Sequence, residues 1–189
     1  MLPLALDPKH ARIGLAGSGA LAVRRLAALR AAGMAGVLVF GAQDAELARA
    51  AGADFRDRWP DDAALAELHI LYITGLAPEA AGALAATARR LRVLVNVEDV
   101  PELCDFHSVA EVRRGDLLLT VSTGGAAPGL ASSIRRNLEN CFAPIWAERV
   151  REVAALRQAW RGENVAMPEA ARRIQALADA GCWLNCPRP

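Results

Sequence analysis

Lysine is almost missing from this chain. Lys9 is the only one, so nearly all of the 22 lysine and arginine side chains are arginine. A guanidinium grips carboxylates and phosphates bidentately; an alanine- and arginine-rich codon usage gives the same count, and both readings stand. The 21 acidic residues bring the net charge to +1, which excludes a nucleic-acid binder working by bulk electrostatics. Aromatic residues are 5% of the chain, with Tyr72 the single tyrosine. No apolar run approaches the ~20 residues of a membrane helix. The opening MLPLALDPKH has neither a charged leader nor a long apolar stretch and does not read as a secretory signal, so a cytoplasmic protein without membrane or nucleic-acid partners is expected. The four cysteines, Cys104, Cys141, Cys182 and Cys186, form no C-x-x-C pair, and no histidine follows Cys186 to complete a zinc site. Four free thiols and no resident metal are the expectation.

What is present is apolar and periodic. Hydrophobic residues make up 53% of 189 positions, enough for a substantial core. RIGLAG (12–17), GVLVF (36–40), HILYIT (69–74) and RVLVNVE (92–98) read as strands. Between them ALAVRRLAALRAAG (20–33), DAELARAAG (44–52) and PEAAGALAATARRL (78–91) read as helices, the second capped by Asp44 and the third opened by Pro78. Strand–helix alternation predicts crossover units and a parallel sheet. Helices on both faces of such a sheet explain strands that are apolar throughout. After Pro101 the pattern changes: EVRRGDLLLTVSTGG predicts two strands about an Arg-Gly-Asp turn. PGLASSIRRNLENC predicts a helix from Pro128, and the chain from about Ala143 reads as helical with a break near GENVAMP. These later pieces suit a segment that completes its core against a partner chain.

Gly17-Ser18-Gly19-Ala20-Leu21-Ala22 stands between the first strand and first helix, a G-x-G-x-x-A form of the dinucleotide fingerprint. Gly17 permits the turn, Gly19 lets a pyrophosphate approach the backbone, and Ala22 allows close helix–sheet packing. The helix start offers amide donors and partial positive charge. A ligand-free glycine turn is the plainer alternative. The acid expected at the end of the second strand is absent: Gly41, Ala42 and Gln43 follow Phe40, and Asp44 is assigned to the helix cap. No arginine stands there to meet a 2′-phosphate, so NAD is the expected nucleotide.

The strand RVLVNVED ends on Glu98 and Asp99 before Val100-Pro101. In a parallel sheet ligands sit beyond the carboxyl ends of the strands, and alternation sends neighbouring side chains to opposite sides. One of the two acids is thus placed to take a proton in the cleft; a solvated pair beside a proline turn is the alternative.

Together these stretches resemble the precorrin-2 dehydrogenase / sirohydrochlorin ferrochelatase family, which also forms the N-terminal module of siroheme synthases. LPLALD with the glycine turn, VNVED followed by Pro101 and Phe106, and LLLTVSTGGAAPGLASSIRRNLE (117–139) carry the likeness over residues 1 to about 140. The resemblance implies a Rossmann domain over 1–105, a dimerisation segment over 106–143 and a helical domain over 144–189, working as a homodimer. It implies NAD-dependent oxidation of precorrin-2 to sirohydrochlorin, with ferrous iron as a substrate where chelation is retained. Asp99 takes the catalytic position. Gly19, Ala20, Leu21, Ala42 and Gln43 take nucleotide contacts, and Gly17, Ser18, Gly41, Thr74, Gly75 and Asn96 complete the expected cofactor set. The eight carboxylates of precorrin-2 call for cations and donors, for which Arg24, Arg113, Arg135, Thr123, Gly124 and Gly125 are the candidates. Each arginine also reads as part of a solvated face. The chain departs from the family pattern at ITGLAPEA (73–80), which keeps Thr74 and loses an acid. It departs again at Glu98, which stands for a valine, and at Phe106–Val109, where a proline is lost and His107 appears. Those departures keep a second class open, a non-catalytic module that holds nucleotide or tetrapyrrole. A short-chain oxidoreductase is set aside, because Tyr72 lies within a strand with no lysine near it.

Overall fold

The computed structural model describes residues 2–185, and the chain divides into two compact units, Met1–His107 and Ser108–Pro189. In the first unit β1 (Ile13–Gly17), β2 (Leu38–Gly41), β3 (Phe55–Asp57), β4 (Ile70–Thr74) and β5 (Leu94–Val97) form one sheet in the order β3-β2-β1-β4-β5. Every ladder is parallel. The connecting helices are α1 (Gly19–Ala31), α2 (Ala45–Ala51), α3 (Asp62–Ala66) and α4 (Pro78–Arg90).

Two apolar layers cover this sheet. Ala22, Leu26 and Leu29 of α1 and Leu47 and Ala51 of α2 pack with Ile13, Leu15 and Val39. Ala81, Ala85 and Ala88 of α4 and Leu65 of α3 pack with Ala16, Leu71, Ile73, Val95 and Val97. The alternation along each strand delivers one residue to each layer, so uniformly apolar strands are buried on both faces. The alanines of α4 recur at i, i+4 and i+7, a stripe that lets the helix lie close to the strands. The sequence reading found four of the five strands. It missed β3 and α3, because only Phe55 of β3 is half-buried while Arg56 and Asp57 are exposed. A short charged edge strand has no apolar period to detect.

In the second unit β6 (Ala110–Arg114) and β7 (Leu117–Val121) form an antiparallel hairpin in which Arg114 pairs with Leu117 across Gly115-Asp116. Gly115 has φ +58°. Helix α5 (Pro128–Cys141) follows, then α6 (Trp146–Gly162) and α7 (Met167–Ala180). Arg114 donates to the carbonyls of Phe142 (2.7 Å) and Glu139 (3.4 Å), satisfying acceptors at the end of α5 where a cation also suits the helix dipole. The Arg149 guanidinium lies 5.1 Å from the ring centres of both Trp146 and Trp183. Cys104 and Cys182 are free thiols, but Cys141 is disulfide-bonded, which corrects the expectation of four free thiols: spacing along the chain does not reveal which sulfurs the fold brings together. Cys186 lies outside the described residues. Among the described residues no helix is long and apolar enough to cross a membrane.

Candidate functional site

The strand order reverses direction between β1 and β4, the position where open α/β sheets form a ligand crevice. Two turns meet there. The Ser18 amide donates to the Thr74 carbonyl at 3.2 Å, and its hydroxyl donates to the Gly75 carbonyl at 2.9 Å. A Cβ on Gly17 would strike the Thr74 carbonyl oxygen and lie 3.1 Å from Ala22 Cβ; one on Gly75, at φ +66°, would strike the Ser18 carbonyl oxygen. Gly17, Ala22 and Gly75 are therefore required by close approach of the backbone itself. Gly19 differs: its φ is +69° and a Cβ there would meet nothing within 4 Å. Ala20 and Leu21 are exposed beside it. A side chain at Gly19 would thus point into open space, while its amide is met by Asp44 Oδ2.

Past β2, Asp44 does more than cap α2. Its Oδ1 accepts from the Leu47 amide at 2.8 Å and its Oδ2 from the Gly19 amide at 2.7 Å. These bonds, that from Leu47 first, hold its carboxyl below the usual aspartate range. Gln43, at φ +55°, donates its amide to Asp57 Oδ1 at 2.8 Å. Ala42 and Gln43 are exposed. Gly41 is buried, and a Cβ on it would approach the Gly17 carbonyl and the side chains of Leu47 and Phe55 at 3.1 to 3.3 Å, so close packing of β2 requires glycine there.

The two acids after β5 separate. The Glu98 amide donates to the Ile73 carbonyl at 2.9 Å, which carries the ladder one residue further and turns the side chain back towards β4. There the Thr74 hydroxyl donates to Glu98 Oε2, and Oε1 lies 3.4 Å from Arg25 and 3.6 Å from Arg24. Glu98 and Arg25 are largely enclosed, at 14% and 19% side-chain exposure, and Arg24 is 72% exposed. Arg25 also sits 5.4 Å from the Tyr72 ring centre. Asp99 adopts φ +62°, is exposed, and its carboxylate has no hydrogen-bond or ion-pair partner among the described residues. Of the two acids Glu98 is the one paired with neighbouring side chains, and Asp99 stands on the exposed side of the turn. Since β4 separates β5 from β1, the ends of those strands lie about 10 Å apart at ~4.8 Å per strand.

Sequence reasoning assigned no role to Cys104, and it braces this turn. Its thiol donates to the Val97 and Val100 carbonyls at 3.1 and 3.3 Å, and its sulfur accepts from the Val97 amide at 3.3 Å. Asn96, expected at the cofactor, is 7% exposed, and its amide donates to the Phe106 carbonyl at 2.8 Å. It ties β5 to the following segment and does not reach the carboxyl edge. The reason is its place one residue before the strand's end, opposite Tyr72.

The remaining candidates lie in the second unit. Gly124 and Gly125 have φ +66° and +84° in the turn between β7 and α5. Thr123 Oγ1 accepts from the Ala127 amide at 3.2 Å, and Ser122 Oγ accepts from the Gly124 amide at 3.2 Å. Arg113 makes two 2.9 Å bonds to Glu111, and Arg135 pairs with Glu139; both charges are met locally. His107 is exposed. Among the described residues no three His, Cys, Asp or Glu side chains gather as a metal site.

A glycine-braced turn at the β1/β4 switch, with an open helix start beyond it, defines a dinucleotide-binding Rossmann unit. A family model described as "Putative NAD(P)-binding" matches residues 4–110. The chain is 35% identical over 177 residues to a siroheme synthase of Methylococcus capsulatus, spanning 92% of this chain and 37% of that protein. It is 38% identical over 82 residues to siroheme biosynthesis protein met8 of Schizosaccharomyces pombe, spanning 43% and 31%. The solved structure of SirC, precorrin-2 dehydrogenase, superimposes with a TM-score of 0.69 at 18% identity, covering 94% of this chain and 89% of that one. The chain belongs to this NAD(P)-binding family. It spans about a third of the length of the curated relatives it matches.

Proposed function

We propose that the chain oxidises precorrin-2 to sirohydrochlorin with NAD as the oxidant, a step of siroheme biosynthesis. The observation that carries the reading is Asp99: an unpartnered carboxylate on the exposed side of the β5 turn, at the same sheet edge as the open start of α1. Gly19, Ala20 and Leu21 would hold the pyrophosphate, the Gly19 amide by exchanging its bond to Asp44 for one to phosphate. Bound there, the nicotinamide supplies the hydride acceptor. Asp99 takes the proton that leaves the macrocycle as the hydride departs, so two electrons and two hydrogens are lost by the substrate and balanced. Its left-handed backbone holds the carboxylate outward, and Cys104 and the Glu98 amide fix the turn on either side of it. Arg24, exposed beside this edge, is the cation for a substrate carboxylate. In chelation the same Asp99 would receive pyrrole N–H protons as ferrous iron, the second substrate, enters.

Residues 106–143, nearly all in the second unit, are proposed as the homodimerisation segment, with a helical part from 144. Leu130 and Ile134, one turn apart on α5, are 56% and 39% exposed, an apolar face suited to a second copy.

The test is purified protein with precorrin-2 and NAD, followed by the sirohydrochlorin spectrum. Asp99→Ala lowers turnover about 10²- to 10⁴-fold, the range for loss of a general base, while NADH affinity stays within about twofold. Wild-type turnover in Asp99→Ala would remove the base from the mechanism. The competing reading, a binding module without turnover, draws on the missing acid after β4, where Gly75 and Leu76 now stand; it predicts nucleotide binding and no oxidation in the wild type.

A further inference from the structure

We infer that Glu98 is a positioning residue for the oxidation: its side chain holds the turn that carries Asp99 in place against α1 and β4. The inference rests on the reading of Asp99 as the base, and Glu98 acts through that residue without touching substrate or nucleotide. The Val100 amide closes the turn on the Val97 carbonyl at 3.3 Å, and Glu98 and Asp99 are its two corners. Asp99 holds φ +62°, a backbone that a non-glycine residue keeps only where its surroundings impose it. Cys104 braces the turn from within, since its partners Val97 and Val100 belong to the turn itself. Those bonds leave the place of the turn relative to the nucleotide unspecified.

Glu98 supplies that relation by two routes. Its Oε2 accepts from the Thr74 hydroxyl, and the Thr74 carbonyl accepts from the Ser18 amide of the glycine turn at 3.2 Å. Its Oε1 lies 3.4 Å from Arg25, a residue of α1, whose first turn is the proposed pyrophosphate site. Arg25 is itself held, with its guanidinium 5.4 Å from the Tyr72 ring centre. Glu98 and Arg25 are both largely enclosed, so salt and solvent screen their attraction little; the exposed Arg24 adds a weaker contact. A carboxylate held at both oxygens has little rotational freedom, and the backbone it hangs from is the residue next to Asp99. A reacting group displaced by about 1 Å loses up to about 10²-fold in rate. A tie between base and nucleotide turn therefore acts on turnover and not on nucleotide affinity.

The experiment compares the full chain as wild type, Glu98→Gln and Glu98→Val in three measurements: turnover of precorrin-2 with NAD, NADH affinity by nicotinamide fluorescence, and amide hydrogen exchange. Valine removes both routes; glutamine keeps an acceptor for Thr74, loses the charge facing Arg25, and carries the test if the valine variant does not fold. Glu98→Val is expected to lower kcat about 10- to 10²-fold and Glu98→Gln several-fold. NADH affinity stays within about twofold in both, because the bonds from Ser18 to Thr74 and Gly75 do not involve Glu98. The Val100 amide exchanges at least about tenfold faster in the variants, while that of Leu26 in α1 keeps its wild-type rate. A kcat within about twofold of wild type in Glu98→Val overturns the inference. So does NADH affinity that falls in step with kcat, and so does unchanged exchange at Val100 beside a lowered kcat; Asp99 remains the base in all three cases. No oxidation by the wild type overturns the inference together with the function it rests on.

Discussion

The two units of this chain bury their apolar side chains to very different degrees. The first contains nearly all of the buried hydrophobic residues, from Ile13 to Val97; in the described part of the second only Val112, Ala131 and Ala170 are buried. The strands show why. In β1 every residue is buried, because helices cover both faces of the sheet. In β7, Leu117, Leu118 and Leu119 are all only half-buried, and α6 has no buried residue at all. A doubly covered parallel sheet completes its own core. A two-stranded hairpin with helices does not reach that coverage, which is the physical ground for proposing that a second copy finishes it.

That contrast can be tested most severely by truncating a leucine in each unit. Leu71 is fully buried and Leu130 is 56% exposed. Leu71→Ala should cost about 2–5 kcal/mol in urea unfolding. Leu130→Ala should fall within about 0.5 kcal/mol in the stability of a monomer while shifting the equilibrium towards monomer in sedimentation. A large loss of monomer stability from Leu130→Ala would contradict the difference drawn between the units. A smaller effect is expected within the first unit at its turn. Gly75→Val places a Cβ against the Ser18 carbonyl at φ +66°, adding roughly 1–3 kcal/mol of backbone strain and weakening NADH binding by parting the β1 and β4 turns. Unchanged NADH affinity in that variant would mean the brace between the turns does not shape the site.

The smallest expected effect concerns acid. Asp44 titrates below its ordinary value, first through the Leu47 amide and then through the Gly19 amide. A carboxyl whose folded-state pKa is lowered stabilises the fold above its unfolded value, and that contribution disappears as the pH falls through the folded one. Thermal unfolding of the wild type should thus lose stability below about pH 4, and Asp44→Asn should flatten this limb. Parallel acid limbs for the two proteins would show that the cap contributes no pH dependence.

Much of the first unit was legible in its sequence. Apolar runs separated by helical periods marked β1, β2, β4 and β5, and Pro78 and Asp44 placed two of its helix starts, as Pro128 did for α5 in the second unit, because caps and prolines act locally. The edge strand β3 was illegible, since two of its three side chains face solvent. In the site, the glycine spacing was readable and the partners were not. Glu98 looked like half of a solvated pair, yet it meets Thr74, Arg24 and Arg25, residues 24 to 74 positions away in the chain. Asn96 belonged to a recognisable motif, yet it lies one residue short of the strand's end and faces the interior.

By itself the sequence determined most of the strands and helices, that the sheet is parallel, and that a glycine turn lies between the first strand and helix. Those follow from periodicity and from backbone angles that only glycine adopts freely. Tertiary structure alone decided which of Glu98 and Asp99 is paired, that Asp44 reaches Gly19, and that Cys104 braces the β5 turn. Contacts of that kind join side chains that only the folded arrangement of strands and turns brings within bonding reach.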